Sequence, residues 1–271
     1  MKASITWFVI MTIKLLTTTD LHQSRTLYDQ LEKAVRQHEP DLVGIVGDCI
    51  DMGDDVGFDL KKIDCGRRLS RLPCHDVIFV RGNHEASAWL DFTVGWHESG
   101  CPLNALNRSA FVYGPMVIVG FPCLMGDEFH YANGESPKKP KSLDWLDAIM
   151  KAHGPAAKGI WLMHEPPTGI GISSRREMEL CIPQWKVAIT RYTPTMTISG
   201  HDHETAMKRN TWHSELGKTV CINAGQTHDG PLHYCVLECE FASDIPHQPT
   251  MISATAYPWN ETVVVDERHH G

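Results

Sequence analysis

The chain has 271 residues, 42% of them apolar, with 25 basic and 33 acidic side chains and a formal charge of −8. That apolar content suffices to bury the core of one full domain, and no shift in composition divides residues 1–271 in two. The negative balance gives no general attraction to a nucleic-acid backbone, and no stretch approaches the ~20 uninterrupted apolar residues of a membrane-spanning helix.

The N-terminal run ITWFVIMTIKLL is apolar, but Lys14 interrupts it and no small-residue cleavage site precedes Asp20. It therefore reads as a first buried strand, Ile13–Thr19, rather than a signal peptide. That strand survives without the residues before it, so 1–12 read as a dispensable extension and Met11 as an alternative start. In SRTLYDQLEKAVRQHEP, Leu27, Leu31, Ala34 and Val35 recur at helical spacing, Ser24 caps the start and Pro40 ends the run. With Leu42–Val46 next, this is a βαβ unit.

Val77–Val80 is a further short apolar strand, followed by Ala86–Ser109, read as a variable segment over a site. Its Trp89, Phe92 and Trp96 read as packing residues ahead of base-stacking ones. Leu124–Lys141, with its Lys-Pro stretch, reads the same way. After Ser142 a second amphipathic helix presents Leu143, Leu146, Ile149 and Met150 and closes at Gly154 and Pro155. Ile160–Met163 and Thr195–Ser199 are buried strands flanking a third helix in 174–190, broken near Pro183. Beyond residue 204, Ala206–Trp212, Thr219–Asn223, Tyr234–Phe241 and Met251–Ala256 read as antiparallel strands completing a second sheet, with 243–271 as C-terminal strands and tail. Nine cysteines follow no disulfide-like spacing, which fits a reducing cytoplasm, and Cys235 and Cys239 read as buried strand residues.

Each of the first five strands is followed, within one to three residues, by a metal-ligating side chain: Asp20 and His22, then Asp48, Asn83 with His84, His164, and His201 with His203. Ligands in open α/β sheets collect at the carboxyl ends of strands. A single such residue is commonly a turn former; five in succession point to one crevice. Carboxylates mixed with imidazoles suit Mn²⁺, Fe²⁺/Fe³⁺ or Zn²⁺. The seven donors Asp20, His22, Asp48, Asn83, His164, His201 and His203 exceed one tetrahedral ion, whereas two divalent metal ions ~3.5–4 Å apart would use them all.

Written out, the motifs are Asp20-Leu21-His22, GDCID at Gly47–Asp51, GNHE at Gly82–Glu85, His164 within MHEPP, and GHDH at Gly200–His203. This set, spread from residue 13 to about 225, resembles the calcineurin-like metallophosphoesterases, in their broad bacterial and phage-type phosphodiesterase and phosphatase branch. The resemblance implies an α/β fold, a four-layer α/β/β/α sandwich of two mixed sheets packed face to face. It implies that Asp20, His22 and His203 hold one ion and Asn83, His164 and His201 the other, with Asp48 bridging. Water activated between the ions would attack phosphorus, His84 would protonate the leaving group, and Asp51 would orient His84. Glu85, Glu165 and Asp202 are read as hydrogen-bonding neighbours of the ligands or solvated groups.

Two departures narrow the resemblance. VRGNHE is similar to protein Ser/Thr phosphatases, but those have a single histidine where this chain has His201 and His203; purple acid phosphatases place a tyrosine where Asp51 stands. The expected activity is hydrolysis of a phosphate ester, on a small organic phosphate or nucleotide. The alternatives are a nuclease, which needs a local basic groove, and a non-catalytic protein-binding scaffold, which would dispense with His84 or several ligands.

Overall fold

Successive side chains of a strand face opposite sides, and the first strand, β1 (Ile10–Thr18), buries both of its faces: Ile13 and Leu15 enter one apolar cluster, Leu16 another. The computed structural model describes residues 10–51, 59–121, 123, 142–167, 169–173, 183–227, 230–243 and 249–267. In the first sheet β1, β2 (Leu42–Val46), β3 (Asp76–Val80) and β4 (Asn104–Leu106) run parallel. The second contains β5 (Ser109–Tyr113), β6 (Met116–Gly120), β7 (Ile160–Leu162), β8 (Met196–Ile198), β9 (His213–Leu216) and β10 (Thr219–Ile222), in the order β5-β6-β7-β8-β10-β9. β6, β7, β8 and β10 are mutually parallel, and the edge strands β5 and β9 antiparallel.

Helices close both outer faces. α1 (Arg25–His38), α2 (Leu60–Leu69) and α3 (Glu85–His97) set Leu27, Leu31, Val35, Leu69, Phe92 and Trp96 against Leu16, Val43, Ile45 and Phe79 of the first sheet. α4 (Asp144–His153) and α5 (Pro183–Tyr192) set Leu146, Ile149, Trp185 and Ile189 against Val117, Val119 and Trp161 of the second. The inner faces pack on each other through Ile13, Leu15, Val46, Ile78 and Val80 on one side and Ile118, Leu162, Met196, Ile198 and Val220 on the other. The result is the expected four-layer sandwich. α1 also starts as its sequence indicates, with Ser24 Oγ accepting from Leu27 N.

Two expectations are corrected. Ala206–Trp212 is not a strand: α6 (Thr205–Arg209) occupies most of it, started by Asp202 Oδ1, which accepts from Thr205 N at 3.0 Å. Nor does the whole C-terminal third complete the second sheet. β9 and β10 do, but β11 (Tyr234–Ala242), β12 (Met251–Tyr257) and β13 (Glu261–Asp266) extend the first sheet from the free edge of β1, giving seven strands. The cause is register: with Leu237 opposite Leu15, the alternation of β11 drops Cys235, Leu237, Cys239 and Phe241 into the inter-sheet core. Cys235 and Cys239 are thus buried strand residues, as read.

The segment 86–109, read as variable loop, is α3 followed by β4, and α2 was not anticipated. Both helices carry a mid-helix glycine, which lowers helix propensity but is required by their contact. A Cβ at Gly66 would lie 2.1 Å from Phe92 O, and one at Gly95 1.8 Å from Ile63 O. Phe92 and Trp96 are buried, as packing residues should be. Leu124–Lys141 and 174–182 lie outside the described residues. Among the described residues, no helix is long and apolar enough to cross a membrane.

Gly95→Ala should force α2 and α3 apart and cost about 2 kcal/mol in urea unfolding. Val187→Ala, at a side chain 59% exposed, should change stability by less than about 0.5 kcal/mol. Equal effects of the two substitutions would show that the glycine contact is not tight.

Candidate metal centre

The loops after β1 and β2 are zipped together: Asp20 N donates to Gly47 O at 3.0 Å, His22 N to Asp48 O at 2.9 Å and Gln23 N to Cys49 O at 3.1 Å. From the second sheet, Gly200 N donates to His164 O at 2.9 Å. The sheets are joined where His201 N donates to Asp20 Oδ2, also at 2.9 Å. Asp20, His22, Asp48 and His201 adopt φ of 54°, 43°, 49° and 62°, a region that costs side-chain-bearing residues about 1 kcal/mol or more each and clusters at functional sites. Gly47, at φ 90°, lies so close to His164 that a Cβ would sit 2.2 Å from its Nδ1.

The structure gathers all seven expected ligands into two groups. In the first, His203 Nε2 lies 3.1 Å from Asp20 Oδ1 and 3.3 Å from His22 Nε2. In the second, His164 Nε2 lies 3.2 Å from Asp48 Oδ2 and 3.1 Å from Asn83 Oδ1, and the His164 and His201 rings are 4.9 Å apart. Donor atoms of Asp20, His22 and His203 all lie within 4.8 Å of one another, as do those of Asp48, His164 and His201. Asp48 Oδ2 is also 4.0 Å from His22 Nε2, which puts this carboxylate between the groups.

His201 Nε2 is buried without a hydrogen-bond partner, a costly condition in a protein alone that a bound cation would relieve. His164 Nδ1 donates to Val46 O at 2.8 Å, which turns Nε2 toward Asp48 Oδ2 and Asn83 Oδ1. The mixed oxygen and nitrogen donors fit Mn²⁺, Fe or Zn²⁺.

Charge and burial compete at each position. Burial alone would raise the Asp20 carboxyl, but the His203 hydrogen bond and the charges of His164, His203 and His22 hold it well below the usual range. Burial likewise opposes ionisation of Asp48, and His164 overrides it. Burial would lower His164, yet Asp48 keeps it well above an ordinary imidazole. Burial, with the charge of His164, pushes His201 down to about 4, so its ring is uncharged at neutral pH.

His84, partly open to solvent, has Nε2 3.7 Å from Asp48 Oδ2 and its ring edge-on to His22. Asp51 lies between two imidazoles, nearer to His22 than to the expected His84. Its Oδ1 is 2.9 Å from His22 Nδ1 and 3.7 Å from His84 Nδ1. The zipped loops carry Asp51 onto His22, the nearer imidazole.

Glu85 has a larger structural role than its place beside His84 indicated. Fully buried, it accepts from Cys49 N (2.7 Å) and Ile50 N (3.3 Å) at Oε1 and from Asp48 N (3.0 Å) and Gly82 N (2.6 Å) at Oε2. Burial and the Asp48 charge push its carboxyl up to about 7. Glu165 accepts from Cys123 Sγ at 3.0 Å. Asn223 was missed: its Nδ2 donates to Asp202 O at 3.0 Å and its Oδ1 accepts from Gly225 N at 2.9 Å, pinning the loop that carries His201 and His203. It directly follows β10, the same strand-end position that marks the candidate ligands.

The family model described as calcineurin-like phosphoesterase matches residues 13–205. No curated protein matches the chain in sequence. Solved structures share its fold at low identity. A dimetal phosphatase from Danio rerio aligns with a TM-score of 0.60 and 12% identity, over 94% of this chain and 98% of that one. The protein TT1561 of Thermus thermophilus aligns at 0.58 and 11%, over 94% and 99%. GAP50, the anchor in the inner membrane complex of Plasmodium, aligns at 0.55 and 11%, over 94% and 89%. At such identities the structures speak for the fold alone, and the family rests on the sequence match and its motifs. The chain belongs to the calcineurin-like phosphoesterase family and is a metal-dependent phosphoesterase.

Proposed function

We propose that this chain hydrolyses phosphate esters of small organic phosphates or nucleotides, as a monoesterase or diesterase. Asp20, His22 and His203 would hold one divalent cation and Asn83, His164 and His201 the other, with Asp48 available to both. The observation that carries the reading is the convergence of all seven donors, one of whose atoms, His201 Nε2, is buried without a hydrogen bond. When bound, the cations polarise phosphoryl oxygens and lower the pKa of water toward neutrality.

The side chains supply position and a proton. Asp51 accepts from His22 Nδ1–H, which fixes the tautomer and aims the Nε2 lone pair at the first group. His84, beside Asp48 and open to the crevice, is the proton donor to the leaving alkoxide. Burial lowers its pKa first, against the pull of Asp48, and an incoming phosphate adds negative charge that favours its protonated form. Glu85 holds the backbone of Asp48 and Gly82 and so keeps the two loops in register. GAP50 shows that the fold also serves an anchor; an intact donor set together with His84 argues for catalysis here. Eight free cysteines among the described residues support a reducing, cytoplasmic setting.

Metal-free protein should take up two equivalents of Mn²⁺, Fe²⁺ or Zn²⁺ and hydrolyse p-nitrophenyl phosphate or bis-p-nitrophenyl phosphate. Full loading with silence on both esters and on nucleotides would overturn the hydrolase reading.

His84→Ala should keep both ions while kcat falls about 10²-fold or more, and Asp48→Asn should lose metal itself, read by elemental analysis. Unchanged turnover in His84→Ala would remove it as proton donor.

Glu85→Gln should cost about 3 kcal/mol in urea unfolding, since an amide nitrogen would meet backbone N–H groups. Metal affinity should weaken as well, although Glu85 belongs to neither ligand group. Wild-type stability in this variant would refute its bracing role.

A further inference from the structure

A cavity of about 980 Å³ lies between α1 and α2 and shares His22 and Asp51 with the metal centre. Ligand pockets run to roughly 300–1,000 Å³, so it has room for the alcohol portion of a nucleotide-sized ester.

Its charges are unevenly matched. Arg68 binds Asp29 at 2.6 Å and Glu32 at 2.9 Å, Lys62 lies 3.4 Å from Asp59, and Arg67 lies 3.6 Å from Asp64. Asp51 is held by His22. Every carboxylate of the described lining thus has a positive or imidazole partner. Arg25 and Lys61 also line the cavity, and among the described residues neither forms an ion pair. Their location matters. Arg25 opens α1 three residues after His22, and Lys61 lies in the first turn of α2. Asp29 and Glu32 lie roughly 6 and 10 Å further along α1. Arg25, directly after the loop that carries His22, is an unmatched cation near the metal centre, and Lys61 is a second across the cavity, while Asp29 and Glu32 stand further along α1 and are engaged.

The geometry points to this cavity as the seat of the substrate's alcohol portion, with Arg25 and Lys61 as specificity-determining residues that receive a second anionic group carried by that portion. The preferred substrates are then phosphate esters whose leaving group itself bears a phosphate or carboxylate. This inference rests on the hydrolytic reading above, in which the scissile phosphate sits at the metal centre.

The test is calorimetric binding of non-hydrolysable analogues to the full chain loaded with Mn²⁺. Alkylphosphonates of increasing length are compared with the matching ω-carboxyalkylphosphonates and ω-phosphonoalkylphosphonates, for wild type and for R25A/K61A. Wild type should favour at least one doubly anionic series by about fivefold, and the double variant should lose that preference with its affinity for the plain alkylphosphonates unchanged. Whichever series shows the preference identifies the second anion as carboxylate or phosphate. Equal affinities in wild type, or a preference that persists in R25A/K61A, would overturn the inference. Turnover of p-nitrophenyl phosphate, bis-p-nitrophenyl phosphate and nucleotides, measured on the same preparations, separates the two ideas: preference without turnover of any of them refutes the hydrolase reading, and turnover without preference refutes this one.

Discussion

Apolar contact between the inner faces of the two sheets, with Ile13, Leu15, Val46, Ile78 and Val80 against Ile118, Leu162, Met196 and Ile198, brings the candidate donors within reach of one another. Asp20, His22, Asp48 and Asn83 follow strands of the first sheet, and His164, His201 and His203 follow strands of the second. Neither sheet alone holds a complete set. Each donor group of the site depends on sheet-to-sheet packing: His203 of one sheet meets Asp20 and His22 of the other, and His164 and His201 meet Asp48.

Packing brings the loops near, and polar networks set their last ångströms. The site holds four side-chain-bearing residues at positive φ, conformations that persist only where the surroundings over-determine them. Glu85 supplies that on the first sheet by accepting from four backbone N–H groups at once. Asn223 does so on the second, and the Asp20 to His201 bond couples the two sides. These braces are buried, so each lost hydrogen bond would leave an unsatisfied polar group in a low-dielectric interior.

The same burial makes the centre a demanding place for charge. Asp20 and Asp48 stay ionised because imidazoles face them, whereas His201 is driven toward neutrality. Side chains bind cations as carboxylates and neutral imidazoles, so metal uptake would release the proton that Asp48 holds on His164. Away from the centre, ion pairs join neighbouring helices, as where Arg68 takes both Asp29 and Glu32.

Much of this was legible in the residues alone. Short apolar runs ending in Asp20, Asp48, Asn83, His164 and His201 marked both the strands and the donors, because a strand end needs a polar turn and a metal needs those side chains. Helix α1 was readable from Ser24 to Pro40 because capping and periodicity are local properties. Tertiary structure decided what depends on contacts distant in sequence. The mid-helix Gly66 and Gly95 weakened the helical signal of α2 and α3, since their purpose is a close approach that no local pattern records. The transfer of β11–β13 to the first sheet followed from the free edge of β1. The attachment of Asp51 to His22, and the burial of Glu85 beneath two loops, likewise required the fold. Periodicity and residue chemistry travel along the chain, but which buried partner a carboxylate meets is settled only when remote segments compete for the same space.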